Sequence, residues 1–160
     1  MITYFALKYL HIIGASVLLG TGAGIAFFML LAHFSGRPAL IAGVARIVVI
    51  ADFAFTTTAA VLQPITGVAL AWNVGYALGE GWIVLSILLY VFTGLFWLPV
   101  VWMQMKMRRL AEAAVEANTA LPAEYHILFW RWFAFGFPAF AAVLAIFWLM
   151  ITRPDLGMWF

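Results

Sequence analysis

Two histidines, His11 and His33, share a line along the first apolar stretch. At 100° per residue, His11, Ala15, Leu18, Gly22, Met29 and His33 fall within about 40° of one another on a helix. Imidazole titrates near neutrality and ligates metals as a neutral donor, so a histidine in such surroundings is a candidate axial haem ligand or proton carrier. The two cannot hold one iron in a single chain, because a helix running from one to the other separates them by roughly 33 Å. Met150, near the outer end of the last apolar stretch, would give His11 a His/Met pair of the kind haem proteins use. His126 is level with His33 and makes with it a candidate bis-imidazole site. The competing reading of His11 is a hydrogen bond to a neighbouring helix.

A second constellation lies in the second apolar stretch, where Asp52, Thr56, Ala59, Gln63 and Thr66 fall within about 40° of one another. Such a stripe must face protein or water. It is either a substrate or proton path with Asp52 at its mouth, or a set of interhelical hydrogen bonds worth typically under ~1 kcal/mol each. Arg131 is expected at similar depth, so an Asp52–Arg131 ion pair would neutralise both, and Asp52, Gln63 and Arg131 are read as structural polar residues. Ser16, Gly20 and Gly24 form a small-xxx-small ladder that lets another helix approach, within the bundle or in a homo-oligomer. No nucleotide loop, zinc-protease pair or nucleophile elbow occurs. The chain has no cysteine, which removes disulfides, thiolate metal sites and thiol catalysis. Its few basic residues are too close to the apolar stretches for nucleic acid.

The elements that must position these residues follow from composition. Of the 160 residues 68% are apolar and 9% charged, against about a quarter charged in a soluble domain. Stretches at about 5–32, 47–72, 82–105 and 132–152 approach or exceed the roughly 20 apolar residues that cross a bilayer. The expectation is therefore all-α: an integral membrane four-helix bundle, one domain over 1–160. Arg37, Arg46, Lys106, Arg108, Arg109 and Arg131 fall at one end, Lys8 and Arg153 at the other. That asymmetry puts both termini on the outer side. Tryptophans form belts at both ends, Trp72, Trp82, Trp148 and Trp159 against Trp97, Trp102, Trp130 and Trp132. Pro64, Pro99 and Pro138 each free a backbone carbonyl that needs another partner. The segment after Lys106 continues as helix until Asn118 and Thr119, and Pro122 suits the start of the last helix.

ALKYLHIIG at 6–14 and FWRWFAFGFPAFAAVLAIFWLMITRP at 129–154 resemble small bacterial membrane proteins related to HemJ and the copper-resistance D proteins. With TTTAAVLQPITGVALAW at 56–72 and FWLPVVWMQMKMR at 96–108, the chain resembles a branch known as predicted integral membrane proteins, for which the resemblance implies a fold and no activity. HemJ proteins are protoporphyrinogen oxidases of the bacterial inner membrane reported to bind haem b, and their first-helix lysine and histidine match Lys8 and His11. Arg131 and Trp132 match their RWF element. Ser86 stands where they carry a functional lysine, and Ala134, Phe135 and Gly136 replace the asparagine and glutamate before their fourth-helix proline.

The resemblance thus implies an inner-membrane protein holding haem b or a porphyrin through His11, with Lys8 nearby, in a redox role; as an enzyme it would be a membrane oxidoreductase. The alternatives are a non-catalytic membrane subunit or assembly factor, and metal tolerance or transport. Expected partners are the lipid bilayer and a second copy or a membrane complex.

Overall fold

The computed structural model describes residues 2–160. Its elements are α1 (Ile2–Phe34), α2 (Pro38–Ala51), a π-helical segment (Asp52–Thr57), α3 (Thr58–Val74), α4 (Gly81–Glu116) and α5 (Ala123–Thr152). α2, the π segment and α3 run on as one 37-residue helix, which leaves four helices long and apolar enough to cross a membrane. Large apolar side chains stay exposed on every one, among them Phe27, Leu31, Ile65, Leu95, Leu98, Trp148 and Ile151. A bilayer accepts that surface and water does not.

The helices overrun the expected spans at one end for a physical reason. Pro38 begins α2 at the position where a missing N–H costs nothing, after Gly36 turns the chain at φ 63°. The extra turns bury Ile41, Ala42 and Ala45. α5 starts at Ala123, with Pro122 as its N-cap as the sequence indicates, well before the apolar span that begins near residue 132, and its first turns bury Tyr125, Leu128, Phe129 and Trp132. α4 ends where the sequence indicates. Asn118 takes φ 50°, and Thr119 N–H closes back on Ala114 O at 2.9 Å, a Schellman-type stop.

These extensions hold the principal core. Met29, Ala32, Ile41, Ala45, Met103, Met107, Tyr125, Phe129 and Trp132 pack together at the basic end of the bundle. A second, smaller cluster of Ala71, Trp82 and Ile83, with Tyr76 and Met150 against it, lies at the end that carries the termini. Between them, from Asp52 to Thr66, the buried side chains of the second span are the polar stripe and Ala59. α4 packs closely along α5, and α3 along α1, whereas α3 and α5 make no close backbone approach of comparable extent. The two helix pairs are thus knit by apolar packing at their ends and by polar side chains between.

The tail after α5 was not foreseen in the sequence. Arg153 leaves the helix at φ 43° and donates to Tyr76 Oη at 2.7 Å, its guanidinium over the Tyr76 ring. Gly81 N–H donates to Gly157 O at 2.8 Å and Trp159 N–H to Gly79 O at 2.9 Å, so the tail lies on the loop between α3 and α4. A Cβ on Gly81 would stand 2.6 Å from Leu156 Cβ, which is why that position is glycine.

Candidate functional site

α1 and α3 approach at Gly14 and Gly67. A Cβ on Gly67 would lie 3.3 Å from His11 Cε1, and one on Gly14 would lie 2.3 Å from Gln63 Nε2. Into the space these glycines leave, α3 sends Gln63 and Thr66 and α1 sends His11. Gln63 Nε2 donates to the backbone carbonyl of His11 at 2.9 Å. The His11 ring meets Thr66 through Nδ1, 2.8 Å from Oγ1.

That contact has a direction. Thr66 Oγ1 also lies 2.8 Å from Leu62 O and 3.2 Å from Gln63 O, two carbonyls that can only accept. A hydroxyl carries one proton, and two oxygens at 2.8 Å without a proton between them repel. The Thr66 proton therefore belongs to the backbone of its own helix, as mid-helix threonines arrange. In that arrangement His11 Nδ1 donates to Thr66, the tautomer that would leave Nε2 with a free lone pair on a half-buried side chain. A metal-ligating histidine takes this state, one nitrogen donating to a fixed acceptor and the other turned to the metal.

The other expected members of this site lie apart. Lys8 is exposed, its ammonium 5.6 Å from the centre of the Tyr4 ring. Met150 is half-buried against the Ala71–Trp82–Ile83 cluster. Neither is joined to His11, so the chain's own contribution is His11 with Thr66 and Gln63 behind it.

Deeper in the second span, Asp52 opens the π segment and is 5% exposed. Its Oδ1 accepts from Trp97 Nε1 on α4 at 3.4 Å, the long edge of a hydrogen bond. Thr56 is buried one turn on, its Oγ1 without a partner. The Asp52–Arg131 ion pair is not made. Arg131 is exposed on α5, and the salt bridges among the described residues are Lys106–Glu124 and Arg108–Glu112. The reason is rotational: Trp132 faces the core, donating to Gln104 Oε1 at 3.1 Å, and its neighbour must point away.

Pro64 leaves Ala60 O without its helical donor, and Tyr90 of α4 supplies one through its hydroxyl. Sequence reasoning saw that a partner was needed but did not name Tyr90. It also missed Gly14 and Gly67, whose signal is a glycine three residues after His11 and another directly after Thr66. At the basic end His33 and His126 do meet, ring centroids 5.5 Å apart, with His33 stacked flat on Phe129 at 3.6 Å. Among the described residues no group of three or more His, Asp or Glu side chains forms.

The geometry is that of an intramembrane imidazole positioned by a partner helix. A family model described as predicted integral membrane protein (DUF2269) matches residues 5–154. The chain belongs to that family. No curated protein and no solved structure matches it. Membership of DUF2269 establishes a polytopic membrane protein, in agreement with the four helices, and assigns no activity. These matches show no link to HemJ or the copper-resistance D proteins, and the resemblance to them is one of sequence stretches alone.

Proposed function

We propose that this DUF2269 protein is a bacterial inner-membrane haem b protein, termini on the outer side, in which His11 would hold the haem iron. The observation that carries the reading is the 2.8 Å contact of His11 Nδ1 with Thr66 Oγ1, which itself lies 2.8 Å from Leu62 O; we assign the ring proton to Nδ1 on that basis, with Nε2 as the basic nitrogen. The likeness of Lys8, His11, Arg131 and Trp132 to HemJ supports it, as does the donor set, a single neutral imidazole with a fixed acceptor behind it. When bound, haem iron exchanges one electron at a time. The chain's part is to hold the ring. Thr66 orients Nδ1–H, Gln63 anchors the His11 backbone across the helix contact, and Gly14 and Gly67 admit the approach. The test is haem stoichiometry of detergent-purified protein: haem in the wild type and none in His11→Ala supports the reading, whereas equal haem in both overturns it.

A second reading is a membrane subunit or self-associating protein whose first helix seats another helix. Gly20 and Gly24 favour it, because an added Cβ would meet nothing within 4 Å at Gly20 and, at Gly24, the Phe28 ring of the same helix at 3.7 Å, and Ser16 on the same face is exposed. The ladder therefore meets no other helix among the described residues. The two readings are compatible, since the ladder lies on a different face of α1 from His11.

A further inference from the structure

Val91, Leu95, Leu98 and Trp102 follow one another along α4 at three- and four-residue steps, all exposed. They make one apolar line down the helix. It runs into an open hollow of about 420 Å³ lined by Trp102, Met105, Lys106, Arg109 and Leu110, all of α4. This is where the apolar residues of the span give out and the charges begin. Lys106 is held at the rim, its ammonium 5.4 Å from the centre of the Trp102 ring and paired with Glu124 of α5. Arg108 turns the other way, to Glu112 at 3.8 Å. Arg109 is exposed and forms no salt bridge among the described residues. Glu124 offsets Lys106, so the uncompensated charge of the hollow is the Arg109 guanidinium.

We propose that this hollow binds the phosphodiester headgroup of an anionic glycerophospholipid. Arg109 takes two phosphate oxygens, a geometry its planar fork matches. Lys106 is the second cation, and the acyl chains lie along Trp102, Leu98 and Leu95. The apolar line selects a lipid over a soluble phosphate, because it leads from the bilayer directly to the cations. The free guanidinium selects an anionic lipid over a zwitterionic one, whose headgroup brings its own cation. An interfacial tryptophan beside basic side chains is the usual surrounding of such headgroups.

The test uses the full chain in zwitterionic-lipid nanodiscs, with phosphatidylglycerol, phosphatidylcholine and glycerol 3-phosphate as probes, read by native mass spectrometry and thermal unfolding. Phosphatidylglycerol is expected to be retained in preference and to raise the unfolding midpoint. Arg109→Gln should weaken that retention about five-fold, without changing the unfolding midpoint in zwitterionic lipid alone. Arg153→Gln, at the opposite end, should leave retention as in the wild type. Equal retention of the two lipids, wild-type retention by Arg109→Gln, or retention of glycerol 3-phosphate to the same extent would each overturn the assignment.

Discussion

Replacing Thr66 by valine keeps the shape of the side chain and removes two functions at once. The Leu62 carbonyl loses a supplementary donor, and His11 Nδ1–H loses its acceptor across the helix contact. The first loss is small, since the helix ladder remains. The second removes an interhelical bond worth about 0.6 kcal/mol on average and at most about 1.7 kcal/mol in membrane proteins. Folding should therefore survive, with a modest drop in unfolding midpoint. The larger effect falls on the ring, whose tautomer is no longer fixed. Loss of such a support typically costs a metal site about 10–100-fold in affinity. The assay is nitrogen-15 NMR of histidine-labelled protein in lipid nanodiscs, where only His11, His33 and His126 contribute and His11→Ala assigns the first. The wild type should show His11 protonated on Nδ1, Thr66→Val a mixture, and Thr66→Ser the wild-type pattern. A wild-type His11 protonated on Nε2, or a Thr66→Val spectrum unchanged from wild type, would refute the proton assignment and the ligand argument built on it.

Tyr90→Phe should lower stability by about 1–3 kcal/mol by orphaning Ala60 O; Pro64→Ala, which restores an N–H to that carbonyl, should recover most of it in a double-mutant cycle of thermal unfolding, and additive losses would contradict the pairing. Arg131→Gln should change stability by less than about 0.5 kcal/mol, because the exposed guanidinium has no acid partner; a loss of several kcal/mol would restore the ion pair with Asp52. Gly81→Ala should lift the tail off the α3–α4 loop, since its Cβ meets Leu156 and Trp159, and chymotrypsin should then cleave around Leu156 faster than in the wild type.

Much of the fold was legible because a bilayer imposes one rule, that backbone groups be satisfied within each span. The stripe Asp52, Thr56, Ala59, Gln63 and Thr66 was read from periodicity alone, and all five are buried. What periodicity could not give was rotation between helices. Asp52 and Arg131 were paired by depth, yet Arg131 faces outward because Trp132 and Phe129 take the core. Met150 was matched to His11 by depth as well, but its face of α5 belongs to the Trp82 cluster. The π segment was invisible too, because DFAFTT holds no glycine or proline to mark a change of helix type. The candidate site was legible as a residue, His11, and not as a state. Its proton position depends on where Thr66 sends its own proton, and the distances to Leu62 O and Gln63 O that bear on it are absent from the sequence.

The most direct test of His11 as a haem ligand is the dithionite-reduced minus oxidised absorption spectrum of protein purified from cells with ample haem supply, wild type beside His11→Ala. The account predicts a b-type α-band in the wild type that is lost in the variant while helix content is kept. A colourless wild type, or a band that survives His11→Ala, would contradict it.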